Sequence, residues 1–200
     1  MSTPAELTAF VRREHPRLVR AVHLLLDDHA VAEEVAQEAL LRTASRWEQV
    51  SAMDSPGGWT HRVAVNLATS QLRRRRLERR ARSRTTPAEE VVGAPDTATA
   101  IIVRTALRAL PEPQRRILVL RHVLDWTTAD IADLDGASPE AVRQRLTRAR
   151  AALREQLGPE LIIDDTRDVV ADPSGPPAAG GPAGGSFEPT LDVEETTDAR

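Results

Sequence analysis

Residues 126–157, WTTADIADLDGASPEAVRQRLTRARAALREQL, decide how the second half of the chain folds. Thr127 can cap a helix and Asp130 falls at its third position, so the two approximate a capping box. Trp126 before the cap and Ile131 at the fourth position can close over it as a hydrophobic staple. The helix is short and stops at Gly136, where a positive φ costs little. Ser138-Pro139 then caps a new helix. Ala132, four residues before Gly136, is small enough to let the two helices cross closely. Helix, brief glycine turn and second helix form the helix-turn-helix arrangement of DNA-binding domains.

At about 100° per residue the second helix has two distinct sides. Val142, Leu146, Ala149 and Leu153 share one sector, the expected buried side. Gln144, Thr147, Arg148 and Ala151 lie opposite, with Arg143 and Arg150 on one flank and Arg145 on the other. The outward side has Arg, Gln and Thr and no acid, whereas an ordinary solvated helix mixes Glu with Arg. Such side chains reach base edges: Arg to guanine, Gln to adenine, Thr to the thymine methyl.

This basic segment sits in a chain of formal net charge −3. The acid is concentrated at the end. Residues 158–200 hold ten of the 30 acids and two of the 27 basic residues, leaving 25 arginines against 20 acids, a net +5, in residues 1–157. The basic residues are all arginine, which accords with GC-rich coding more than with phosphate recognition, since even incidental surface positions carry it. There is no cysteine, which excludes a disulfide framework and thiolate zinc sites. Aromatics are 2% of the chain, so its cores must be aliphatic. No apolar run approaches the roughly 18 residues of a membrane span, and the first residues lack a signal pattern, so a cytoplasmic location is expected.

The remaining punctuation divides the chain. The Pro/Gly-rich acidic segment 158–200 has too little apolar surface to offset ordering entropy, and is expected to be disordered. A second break, SRTTPAEEVVGAPD, covers 83–96. Leu7, Val11, Leu18, Val22 and Leu25 step at helical period; Asp27-Asp28 offers the next helix start, before Val31, Val35, Ala39 and Leu40. Ser55-Pro56 starts another helix. In the second block a helix ends before Pro111 and Pro113 restarts one. The expected fold is all-α: two small helical domains, 1–82 and 97–157, joined by a flexible linker, the second containing the helix-turn-helix, with a disordered acidic tail.

The helix beginning at Ser55-Pro56 carries a second basic face. His61, Ala64, Val65, Ala68 and Leu72 form one side, and Arg62, Asn66, Thr69, Arg73 and Arg76 another. It runs into eight arginines among residues 73–84. Phosphate contacts of this kind make binding fall steeply with salt. Two DNA surfaces on one linker suit two spaced DNA elements, the first grip raising the effective concentration of the second.

Four segments in order, AEEVAQEALLRTASRW, GGWTHRVAVNLATSQLRRRR, LPEPQRRILVLRHVLDWTTADIA and SPEAVRQRLTRARAAL, resemble bacterial RNA polymerase sigma factors of the extracytoplasmic-function (ECF) type over residues 5–157. The resemblance implies that residues 1–82 form sigma region 2, which holds the β′ clamp helices of core polymerase and melts the minus-10 element. It implies that residues 97–157 form sigma region 4, which reads the minus-35 element and touches the β flap. Glu34, Gln37, Glu38 and Arg42 would face β′. Arg62, Asn66, Thr69 and Arg73 would meet the minus-10 element, and Arg143, Gln144, Thr147 and Arg148 the minus-35 element. The segment EQVSAMDSPGG, 48–58, corresponds to the family's flipped-base loop. An anti-sigma protein is a further partner that many relatives have. Asp135 departs from the family, which usually has Leu there, and this bears on how the turn packs.

No catalytic set is apparent. The histidines at 15, 23, 29, 61 and 122 are scattered, none pairs with carboxylates at metal spacing, and no glycine-rich phosphate loop occurs. The absence of tyrosine excludes a tyrosine recombinase. A non-enzymatic role without cofactor or metal is expected. The alternatives from the residues alone are a helix-turn-helix regulator that acts independently of polymerase and binds a palindrome as a dimer, and a partner-binding helical adaptor with incidental arginine.

Overall fold

The computed structural model describes residues 3–81 and 98–157. The expected linker at 83–96 and acidic tail at 158–200 lie outside the described residues. Within them the chain is helical: α1 Pro4–Leu26, α2 His29–Ser45, α3 Trp47–Val50, α4 Pro56–Ala81, α5 Ala98–Ala109, α6 Glu112–His122, α7 Thr128–Asp135 and α8 Pro139–Leu157.

Local chemistry sets where these helices begin. Thr3 caps α1 in a capping box with Glu6, satisfying backbone N–H groups that have no partner inside the helix. Of the two aspartates expected to start α2, Asp28 is the cap and accepts from the Val31 amide at 3.1 Å, while Asp27 ends α1 in a left-handed conformation. Ser55 Oγ accepts from the Gly58 amide at 3.1 Å at the start of α4. The restart expected at Pro113 falls at Glu112, with Pro113 inside the first turn, where its missing N–H removes no hydrogen bond. The four-residue α3 overlaps the start of the segment 48–58, expected to form a loop.

In the first block, α2 and α4 pack on α1 and on each other. Leu18, Val22 and Leu25 of α1 meet Ala32, Val35 and Ala39 of α2 and Ala64, Val65 and Ala68 of α4, all buried. The alanines let the helix axes approach closely. Leu7, expected in the core, is only half-buried; Phe10 takes the buried position on that turn and meets Trp47 with ring centroids 5.0 Å apart. In the second block, α6 and α7 pack against α8 around Trp126, Leu120, Ile131, Val142 and Leu146. Burying each Leu, Ile or Val side chain stabilises the fold by about 1.5–3 kcal/mol, and each alanine by less.

The two blocks also touch. Helix α1 packs against α5 and α6, so their cores run together. Two ion pairs cross this seam: Arg17 Nη2 to Asp125 Oδ2 at 2.5 Å, and Arg108 Nε to Asp27 Oδ2 at 2.8 Å. Arg17 Nε also donates to the Val123 carbonyl at 3.4 Å. His23 faces the seam; burial lowers its pKa, and the charge of Arg104 on α5 adds to that.

Candidate nucleic-acid and partner interfaces

The helix-turn-helix forms as its local signals require. Thr127 Oγ1 accepts from the Asp130 amide at 3.1 Å, and Asp130 Oδ2 accepts from the Thr127 amide at 2.8 Å. Trp126 and Ile131, the two sides of the staple, are fully buried beside this cap. Gly136 ends α7 at φ 60°, and its amide returns to the Ala132 carbonyl. Ser138 Oγ accepts from the Ala141 amide at 3.2 Å and caps α8.

Helix α8 then turns Val142, Leu146, Ala149 and Leu153 into the core. Arg143, Gln144, Thr147 and Arg148 are all exposed, so the four expected DNA readers share an accessible face. They are not equivalent. Arg143 pairs with Glu140 at 2.9 Å, an exposed contact that water and salt weaken. Thr147 Oγ1 donates to the Arg143 carbonyl at 3.1 Å, so its hydroxyl proton is engaged within the helix. Arg150, read as a flanking residue, is buried and lies 3.4 Å from His122 Nε2. Its guanidinium therefore turns back to α6 rather than out to solvent.

Helix α4 carries the second face. His61, Ala64, Val65 and Ala68 are buried, while Asn66 and Arg73 are exposed and Arg62 and Thr69 half-exposed on the other side. Thr69 Oγ1 donates to the Val65 carbonyl at 2.8 Å, so its hydroxyl proton is engaged within the helix. The arginine run is not uniformly a solvent face. Arg75 folds back, donating to Asp28 Oδ2 at 2.6 Å and to the Leu26 carbonyl at 3.3 Å. Burial alone would raise the pKa of Asp28, but the Val31 amide and Arg75 outweigh it and lower the pKa.

On α2, Glu34 and Gln37 are exposed, and Glu38 accepts from Arg42 Nε at 2.8 Å one turn on. The sequence pattern left Leu41 unassigned. It is 65% exposed and points out between Gln37 and Arg42, opposite Val35, Ala36 and Ala39. An apolar side chain ringed by polar ones suits a docking anchor. The signal in the sequence was the pair Leu40-Leu41, of which one helix face can bury only the first.

Sequence reasoning also missed Glu14. His61 and Glu14 are both buried, with His61 Nε2 2.9 Å from Glu14 Oε2, and Arg13 Nε donates to Oε1 at 2.8 Å. Burial would raise the pKa of Glu14, but the hydrogen bonds and charges of His61 and Arg13 overcome this and lower it to about 2. The pair ties α1 to the start of α4 and fixes the rotation of the Arg62–Asn66 face. Among the described residues no group of three or more potential ligands could hold a metal ion, and no helix is long and apolar enough to cross a membrane.

Comparison with known proteins matches both blocks. Residues 10–78 fit the family described as Sigma-70 region 2, and residues 100–153 fit Sigma-70, region 4. The RNA polymerase sigma-E factor of Streptomyces coelicolor is 32% identical over 163 residues, covering 78% of this chain and 89% of that protein. The ECF RNA polymerase sigma factor SigM of Mycobacterium tuberculosis is 33% identical over 154 residues, covering 74% of each. Among solved structures, the sigma factor RpoE of Bartonella quintana, crystallised with the anti-sigma factor NepR, shares the fold with a TM-score of 0.63 at 20% identity, covering 77% of this chain and 98% of that one.

Proposed function

The chain belongs to the RNA polymerase sigma factor family, and from that premise we propose how its surfaces divide the work of starting transcription. It is an alternative sigma factor: it binds core RNA polymerase and directs it to promoters. The chemistry of RNA synthesis belongs to the polymerase, and this chain acts by binding alone, in the cytoplasm where that enzyme works.

In this reading, α2 docks on the β′ clamp helices through Glu34, Gln37, Glu38 and Arg42, with Leu41 as the apolar anchor. Arg62, Asn66, Thr69 and Arg73 on α4 meet the minus-10 element, and Arg143, Gln144, Thr147 and Arg148 on α8 read the minus-35 element in the major groove. The β flap meets the second block, and an anti-sigma protein is the remaining expected partner. Residues 1–82 and 97–157 serve as regions 2 and 4. The carrying observation is the outward face of α8, which presents four exposed polar or basic side chains with base-reading chemistry directly after a capped glycine turn. Matches to both regions favour this over an independent helix-turn-helix regulator, in which α2 and α4 would have no task.

Co-purification with core polymerase, followed by run-off transcription on promoter fragments, tests the reading. Core enzyme should be retained and discrete transcripts should appear. Retention without transcripts after Asn66→Ala and Arg148→Ala would assign those residues to DNA; loss of retention in either variant would contradict the division of surfaces.

A further inference from the structure

One carboxylate occupies a junction of three helices. Asp135 is the last residue of α7, directly before Gly136. Its Oδ1 accepts from Arg116 Nη2 of α6 at 2.8 Å, and its Oδ2 accepts from Arg145 Nη1 of α8 at 3.2 Å. The Asp135 side chain is 16% exposed and that of Arg116 23%, so this half of the triad is largely enclosed, whereas Arg145 is 51% exposed. Arg116 thus holds the carboxylate in place, and the carboxylate in turn holds Arg145. An apolar residue at this position could do neither.

Arg145 lies on the flank of α8 that reaches the end of α7, beside the outward face of Arg143, Gln144, Thr147 and Arg148. A free arginine there is well placed to take a DNA phosphate. Phosphate contacts strengthen binding to every sequence alike, whereas base contacts discriminate.

We propose that Asp135 is a positioning residue that withholds Arg145 from the DNA backbone, trimming sequence-independent binding so that the outward face of α8 sets which promoters are bound. This rests on the DNA-reading role given to α8 above. Asp135, engaged by two arginines, also presents no uncompensated negative charge to the approaching duplex.

Salt dependence reads the number of phosphate contacts directly. The full chain is titrated with a fluorescein-labelled duplex of random sequence between 50 and 200 mM NaCl. The parent, Asp135→Asn, Arg145→Gln and the double variant are compared, each with its melting temperature. Asp135→Asn should steepen the slope of log K against log salt by about 0.9, one added contact, so that its advantage over the parent grows about 3.5-fold from 200 to 50 mM. Arg145→Gln alone should leave the slope unchanged, and in the double variant it should remove the gain. A turn that Asp135 merely braces would give a lower melting temperature with no change of slope. That result, or a slope flattened by about 0.9 in Arg145→Gln alone, overturns the proposal. A flat slope in the parent overturns the DNA-reading role of α8, and the proposal with it.

Discussion

Asp27 and Asp125 share a positive φ of 55°, and each accepts an arginine from the opposite block of the chain. They are the two non-glycine residues with positive φ among those described. Asp27 ends α1 and receives Arg108; Asp125 follows α6 and receives Arg17. Each left-handed turn frees a short acidic side chain at a helix end, and the two pairs close the seam reciprocally. Aspartate is among the few residues that enter this region readily, so conformation and charge are met by one residue type.

The two contributions separate by substitution. Asp125→Gly removes the charge and keeps the turn relaxed, whereas Asp125→Ala also meets the left-handed penalty of about 1–2 kcal/mol. The ion pair itself is partly exposed and contributes about 0–1 kcal/mol. In urea unfolding the Ala variant should therefore be less stable than the Gly variant by about 1 kcal/mol. Equal stabilities would mean that the backbone conformation carries no cost.

The Glu14–His61 pair predicts a specific response to acid. The folded pKa of Glu14, about 2, lies below its ordinary value of 4.5, so the folded state holds its proton less tightly than the unfolded chain. The resulting stabilisation is complete above about pH 4.5 and is lost as pH falls toward 2, and amounts to about 3 kcal/mol. Glu14→Gln should lower stability at neutral pH and lack this share of the decline. Parallel stability curves for the two proteins from pH 5 to pH 3 would be inconsistent with it.

The turn of the helix-turn-helix is set by two local devices. Thr127→Ala removes the cap of α7 and should cost about 1 kcal/mol. Gly136→Ala meets open space but forces an alanine to φ 60°, at about 1–2 kcal/mol. Thermal melts of both variants check this. A Gly136→Ala protein as stable as the parent would show that the turn can re-form with negative φ.

Leu41 separates docking from folding. Because the side chain is 65% exposed, Leu41→Asp should leave the melting temperature within a degree or two while reducing capture of core polymerase about tenfold or more, the range of an interface anchor. Unchanged capture would remove Leu41 from the docking face.

What could be read in advance follows the range of the interactions. The cap, staple, glycine stop and apolar sector of α7 and α8 act within a few residues, and the sequence around Thr127 and Gly136 displays them directly. The outward polar faces of α8 and α4 were legible because helical period separates them from Leu146 and Val65. Three features were not. Glu14 and His61 are 47 residues apart, and a polar pair inside a core leaves no periodic mark. Arg17 and Asp125 are 108 residues apart, and nothing local joins them. Arg75 sits in an unbroken arginine run, where only the packed α1–α2 corner singles it out to meet Asp28.

Run-off transcription with purified core polymerase on a library of genomic fragments bears most directly on the central claim. Adding the full chain should yield transcripts from discrete start sites that core enzyme alone does not produce, and Arg148→Ala should deplete them selectively. No new start site, either with the full chain or with a chain ending at Leu157, would contradict the claim that this protein directs polymerase to promoters.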